Sequence, residues 1–202
     1  TEIYTLSLHD ALPIWQGRSD IPLSERGRNQ AIQTGEFLRK IGLRPAALYA
    51  SDLKRAKETA EIIGQTLRIK PIVNPVLREA DVGLWNGLEI SEAFRNHGNL
   101  IEHWQKDPWA DIAKTESLGE VQRRAVSFLK FVSTAFAGKQ VVAVSHALLI
   151  RTVICYSMGL PLENHYRLSM HNCSVSSIIV EGGKTKVHEL NLWRHLEEEQ
   201  VL

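Results

Sequence analysis

Val141-Val142-Ala143-Val144-Ser145-His146 leads directly into Ala147-Leu148-Leu149-Ile150-Arg151 and an apolar stretch that runs to Met158. Four consecutive apolar residues with no polar alternation describe a strand buried on both faces, as in a parallel sheet. The helix-forming run that follows, Leu148 to Met158, is stopped by Gly159 and Pro161. A buried strand that passes through Ser145-His146 into a helix is the building unit of α/β folds.

The same unit recurs upstream. Ala46-Ala47-Leu48-Tyr49-Ala50 is a short buried strand, and Ser51 or Asp52 is placed to cap a helix whose inner face carries Leu53, Ala56, Ala60, Ile63 and Leu67. Before it, Ser24 offers an N-cap to a helix with Ala31, Thr34, Leu38 and Ile41 on one face, ended by Gly42. Pro71-Ile72-Val73 reads as one more strand. Glu116 to Phe136 forms a long amphipathic helix through Val121, Ala125, Phe128, Leu129 and Val132. Ser174–Val180 and Lys186–Leu190 alternate like strands about a turn at Glu181-Gly182-Gly183. This order predicts an α/β fold, a three-layer α/β/α sandwich with a mainly parallel sheet. Between Leu77 and Thr115 the periodicity weakens, which predicts a helical excursion at about 84–115 made of short helices containing Phe94, Leu100 and Trp104.

Composition narrows the function classes. Lys and Arg number 24 against 23 Asp and Glu, for a net charge of +1, so bulk charge does not point to nucleic acid as a partner. No apolar run approaches the ~18 residues of a membrane helix. Two cysteines, Cys155 and Cys173, are too few for a disulfide scaffold and read as reduced, buried thiols of a cytoplasmic protein. The first ten residues hold Glu2 and Asp10 but no Lys or Arg, so no secretory signal is read there. The histidines at 97, 103, 165, 171, 188 and 195 lack zinc-ligand spacing and read as surface or loop residues.

Ligands of open α/β sheets gather at the carboxyl ends of the strands, beside helix N-termini that attract anions. Arg55 falls in the first helical turn after Ala46–Ala50, and His146 at the exit of Val141–Val144. Position alone is equally compatible with an anion site and with Arg55 pairing a surface carboxylate while His146 caps a helix.

Longer motifs separate these readings. Gln16-Gly17-Arg18-Ser19-Asp20-Ile21-Pro22-Leu23 is followed by Gly27 and Gln30-Ala31. Ser51-Asp52-Leu53-Lys54-Arg55-Ala56 is followed by Thr59-Ala60, and Leu77-Arg78-Glu79 by Gly83-Leu84-Trp85-Asn86-Gly87. Then come Val144-Ser145-His146 with Ile150-Arg151, and Leu168 with Asn172-Cys173-Ser174. In this order the motifs resemble the histidine phosphatase superfamily, the phosphoglycerate-mutase-like proteins, over about Trp15 to Leu196. The resemblance implies the phosphoglycerate-mutase-like architecture and hydrolysis of a small phosphorylated metabolite through a phosphohistidine, with no metal or other cofactor. It implies that Arg55 and His146 bind the phosphate, that Glu79 is the general acid, and that Gln16 and Gly17 line the pocket entrance. Such chemistry needs charge neutralisation and in-line positioning above all. Mutases of this kind are generally longer between Glu79 and the long helix. A phosphatase is therefore expected, with a phosphoglycerate-mutase-type transferase or a non-catalytic phospho-ligand-binding protein as alternatives. Ala147 stands where the family often has glycine.

The resemblance also implies a first strand ending in Arg-His-Gly, followed by an Asn-containing loop. Here the chain reads Thr1-Glu2-Ile3-Tyr4-Thr5-Leu6-Ser7-Leu8-His9-Asp10-Ala11-Leu12-Pro13-Ile14, a peptide that resembles the translation of a common sequencing-library adapter. The expectation is a non-native leader over 1–14 and a histidine-phosphatase-like domain over 15–202. Within the leader, Ile3–Leu8 can form a strand that puts His9 near the nucleophile's place, but Leu8 stands where the arginine belongs and Asp10 where the glycine belongs. His9 is thus a surrogate nucleophile at best, on a connection to Gln16 about half a dozen residues short of the family pattern.

Overall fold

The computed structural model describes residues 1–6, 14–112 and 114–196. In chain order the elements are β1 (Glu2–Leu6), α1 (Glu25–Lys40), β2 (Ala47–Ala50), α2 (Lys54–Leu67), β3 (Pro71–Val73), α3 (Ile90–Lys106), α4 (Leu118–Ala135), β4 (Gln140–Val144), α5 (Ala147–Met158), β5 (Val175–Glu181) and β6 (Lys184–Leu192). The strands form one sheet in the order β3-β2-β4-β1-β5-β6. Strands β3, β2, β4 and β1 run parallel, and β5 and β6 add an antiparallel hairpin.

Helices cover both faces. On one side Leu38 of α1 and Ala56, Ala60 and Ile63 of α2 pack on Leu6, Leu48, Ala50, Val142 and Val144. On the other, Phe128, Leu129 and Val132 of α4 with Ile150 and Val153 of α5 pack on Ile3, Ala47, Tyr49, Val141 and Ala143. Each strand therefore divides alternate residues between two apolar layers, which is why β2 and β4 read as unbroken apolar runs. The edge strand β3 is three residues long and opens with a proline, a form that discourages pairing with another chain.

Glu2–Leu6, inside the stretch that resembles an adapter, occupies the middle of the sheet. It pairs with β4 through Ile3–Val141 and Leu6–Val144, and with β5 through Ile3–Ile178 and Leu6–Val175. The Ile3 and Leu6 side chains are buried on opposite faces.

Several local expectations are corrected. Ser51 and Asp52 do not cap α2: its N-cap is Leu53, without a side-chain bond. Ser51 Oγ instead accepts from the Leu53 amide, and the Asp52 carboxylate is taken by Arg78. The excursion holds a 3-10 turn at Gly83–Trp85 and, within α3, two short helical stretches that meet at a kink at His97, where the backbone leaves helical angles; Phe94 falls in the first stretch and Leu100 and Trp104 in the second. A 3-10 turn at Leu162–Arg167, too short for a periodic signal, packs against α5. It carries His165, which is 3% exposed rather than on the surface. His195, half-buried, stacks on Phe37 with ring centroids 4.6 Å apart and lies 2.9 Å from the Thr34 hydroxyl. Trp85 and Trp104 are core residues, whereas Trp109 is exposed with Arg123 over its ring. Among the described residues no helix is long and apolar enough to cross a membrane.

Candidate active site

Strands β2 and β4 pair with Ala50 opposite Val144, so the turns that follow them lie side by side at one edge of the sheet. Four bonds tie that edge together. The Ser51 amide donates to the Val144 carbonyl at 3.0 Å, and the Ser145 hydroxyl to the Leu77 carbonyl at 2.8 Å. Arg78 donates through Nε to Asp52 Oδ1 at 2.8 Å and through Nη2 to Asp52 Oδ2. This pairing holds the Asp52 carboxyl below its ordinary range. The chain segments that carry Arg55, Glu79 and His146 are thereby joined, although 91 residues separate the first from the last.

His146 is the N-cap of α5 by position but makes no side-chain capping bond, and it is fully buried. The bond that serves α5 there comes from Glu79. Its carboxylate accepts from the Leu148 amide through Oε2 and from the Leu149 amide through Oε1, both at 3.2 Å, and from the Ala80 amide through Oε1 at 3.0 Å. A carboxylate on the free amides of a helix start is favoured by both the hydrogen bonds and the helix dipole. Glu79 thus bonds to the first turn of the helix whose N-cap position is His146.

Arg55 is 2% exposed, and its charge helps to lower the Asp20 carboxyl, after the bonds Asp20 makes to Lys54. Its Nη1 donates to the Ser19 carbonyl at 2.8 Å and its Nη2 to the Gly17 carbonyl at 2.9 Å. Gly17 has φ +45, and a Cβ there would stand 2.0 Å from Asn86 Oδ1. Glycine is required both for the left-handed backbone and for the close approach of Asn86, whose Oδ1 accepts from the Arg18 amide. Gln16 is buried beside this turn. Strand β1 ends on the same edge, with the Ser145 amide donating to the Leu6 carbonyl at 3.1 Å. His9, the surrogate nucleophile of the sequence reading, lies outside the described residues.

Behind Glu79 the interior is basic. Arg151, on α5, is lowered by burial while the charge of Glu79 raises it. His165 is pushed down to about 4 by burial and by the nearby Arg151 charge, so its ring is neutral at pH 7. Among the described residues no group of three or more His, Cys, Asp or Glu could hold a metal ion. A carboxyl group bonded to a helix start whose N-cap position is a histidine is an arrangement that can move a proton beside a bound anion.

The sequence reading passes over Arg18, Glu116 and Arg124, which surround the Glu79 backbone from the far side. One signal was present: Arg124 lies three residues after Val121 and four before Phe128, a charge on the apolar stripe of α4.

The family profile described as Histidine phosphatase superfamily (branch 1) matches residues 7–192. Phosphoserine phosphatase 1 of Hydrogenobacter thermophilus is 30% identical over 185 residues, 91% of this chain and 87% of that protein. The probable phosphoglycerate mutase GpmB of Cronobacter sakazakii is 31% identical over 168 residues, 81% of this chain and 75% of that protein. The solved structure of a mycobacterial glucosyl-3-phosphoglycerate phosphatase superposes with a TM-score of 0.84 at 25% identity, over 95% of this chain and 98% of that one. With the profile spanning most of the sequence and a relative 30% identical over 91% of it, this chain belongs to branch 1 of the histidine phosphatase superfamily.

Proposed function

We propose that this protein is a cytoplasmic, metal-independent phosphomonoesterase for a small phosphorylated metabolite, with Arg55 and His146 as phosphate ligands and Glu79 as proton donor. The observation that carries the reading is the joining of the three segments at one sheet edge, with Glu79 bonded to the first turn of α5, whose N-cap position is His146. In the reaction a histidine nitrogen attacks phosphorus, the bond to the leaving oxygen breaks, and Glu79 protonates that oxygen. Water then attacks the phosphohistidine, releasing phosphate and restoring the histidine. The two phosphatases named above act on phosphoserine and on glucosyl-3-phosphoglycerate by their names, which supports a small phosphorylated metabolite as the substrate class.

A second reading has its own observation. His9 lies between Leu8 and Asp10, where the family carries arginine and glycine, so this chain lacks the arginine that would hold phosphate in line with the nucleophile. Displacements of ~1 Å in such an attack can cost ~100-fold in rate. A chain with binding groups intact and the nucleophile misplaced would bind phosphate with little turnover.

Two measurements test these readings. In calorimetric titration with vanadate, Arg55→Ala is expected to weaken binding by ~1.5–3 kcal/mol, the scale of a charge-assisted hydrogen bond. Unchanged affinity in a folded Arg55→Ala protein would refute the site. In a phosphatase assay the chain is expected to show little turnover and the Leu8→Arg/Asp10→Gly variant more. Strong turnover by the unaltered chain, lost in His9→Ala, would establish His9 as a working nucleophile and remove the second reading.

A further inference from the structure

Glu79 is held from two opposite sides. Its carboxylate faces the amides of α5, as described. Its main chain faces Arg124, a half-buried residue that reaches across from α4. Arg124 Nη1 donates to the Val76 and Arg78 carbonyls at 2.6 Å each, and Nη2 donates to the Glu79 carbonyl at 3.2 Å. The remaining edge of the guanidinium grips Glu116, Nε to Oε1 at 2.7 Å and Nη2 to Oε2 at 3.0 Å. One planar fork therefore binds three carbonyls of the acid-bearing segment, those of Val76, Arg78 and Glu79, and a carboxylate together, an arrangement an ammonium group cannot reproduce.

Arg18 extends the clamp toward the phosphate arginine. Its Nε donates to the same Glu79 carbonyl at 3.3 Å, its Nη2 to Glu116 Oε2 at 2.9 Å, and its Nη1 to Asp81 Oδ2 at 3.4 Å. The residues on either side of Arg18, Gly17 and Ser19, supply the two carbonyls that receive Arg55. Glu116 is itself tied down: its amide donates to the Asp81 carbonyl at 2.7 Å, and its carbonyl accepts from Trp104 Nε1 at 3.0 Å.

We infer that Arg124, braced by Glu116 and coupled through Arg18, is a positioning residue that sets where the Glu79 carboxyl stands relative to Arg55 and the start of α5. The inference rests on Glu79 as proton donor only for its catalytic consequence; the positioning itself is a matter of geometry. The segment that leaves the 3-10 turn Pro75–Leu77 and runs from Arg78 to Asp81 has no regular structure to fix it, so side-chain donors on its carbonyls do that work. Loss of one donor lets the carboxylate leave the Leu148 and Leu149 amides, which are the reporters of its place.

The test is two-dimensional amide NMR on the whole 202-residue chain. The amides of Ala80, Leu148 and Leu149 are expected to shift together in Glu79→Gln, which marks them as reporters of the carboxylate. In Arg124→Lys, with the β4 amides unmoved to show an intact sheet, the Leu148 and Leu149 amides are expected to move about half or more of the way to their Glu79→Gln positions, and their hydrogen exchange to rise about tenfold relative to β4. Glu116→Gln keeps the shape of the pair and is expected to change the same reporters in the same direction, which gives a second route where Arg124→Lys does not fold. Wild-type amide positions and exchange at Leu148 and Leu149 in the folded variants would overturn the inference. So would exchange that rises equally across the sheet, the signature of a merely stabilising ion pair. The donor role of Glu79 is read apart from this, by whether Glu79→Gln slows hydrolysis of alkyl phosphates more than that of nitrophenyl phosphate in the Leu8→Arg/Asp10→Gly background.

Discussion

Glu79 and His165 show how neighbours a few ångströms away decide what a titratable side chain does. Both are buried, yet Glu79 has three amide donors on its oxygens, whereas neither His165 nitrogen has a hydrogen-bond partner among the described residues. His165 therefore has no stabilisation for a charged ring, and Arg151 opposes one. The consequence for stability has a definite sign. The unfolded chain takes up a proton on this ring near pH 6.5, while the folded protein does so only at about 4. Between those values the unfolded state binds the extra proton, so stability is fully present above pH 6.5 and is lost as pH falls toward 4. The loss amounts to ~3 kcal/mol when complete. Urea unfolding at pH 7 and pH 4.5 should show this fall in the unaltered chain and a smaller one in His165→Gln. An equal fall in both would assign the acid sensitivity to other groups.

At the scale of the element, α4 is the best specified helix. Ser117 and Glu120 form a complete capping box: Ser117 Oγ accepts from the Glu120 amide, and Glu120 Oε2 accepts from the Ser117 amide at 2.9 Å. These bonds hold the Glu120 carboxyl below its ordinary range. Because α4 also presents Arg124 to the Glu79 segment, its N-terminal placement matters to the site and not only to the core. Ser117→Ala is expected to lower stability by ~1 kcal/mol, measured as a shift of the urea midpoint without a change in slope. The start of α2 is the counter-example. Its polar residues are drawn into tertiary bonds, Asp52 to Arg78, while the Lys54 amide is served by Asp20 Oδ1 at 2.8 Å from another loop. The excursion is fastened by aromatics: Trp15 lies edge-on to Trp85 at 5.3 Å and to Phe94 at 6.2 Å, so the stretch leading to Gln16 and Gly17 is pinned to α3.

For the whole molecule the decisive feature is that the central position of the sheet is filled by Glu2–Leu6. This strand has neighbours on both sides, and the two apolar layers each receive one of its side chains. Its contribution depends on alternating burial and backbone pairing, which any strand of suitable pattern satisfies; catalysis depends on the particular residues that follow it. Leu6 is 0% exposed, so Leu6→Ala should cost ~2–5 kcal/mol in global unfolding, the range for a buried leucine truncation. A cost under ~1 kcal/mol would mean that the sheet closes without this strand.

The sequence by itself determined the succession of strands and helices, the two-sided burial of β2 and β4, and the cap at Ser24. Each of these is written in residues within a turn or two of one another, where periodicity and local hydrogen bonding act. The family motifs also named Arg55, Glu79 and His146 as candidates for one site. Only the tertiary structure decided what those residues touch. The Glu79 carboxylate finds amides 69 and 70 residues away, and Arg124 finds carbonyls 45 to 48 residues away. A hydrogen bond is satisfied by whatever acceptor the packing brings within about 3 Å, and no local pattern encodes which one that is. The burial of His165 and the capture of Asp52 by Arg78 belong to the same class: both follow from how layers meet, and the layers meet only when the whole chain has folded.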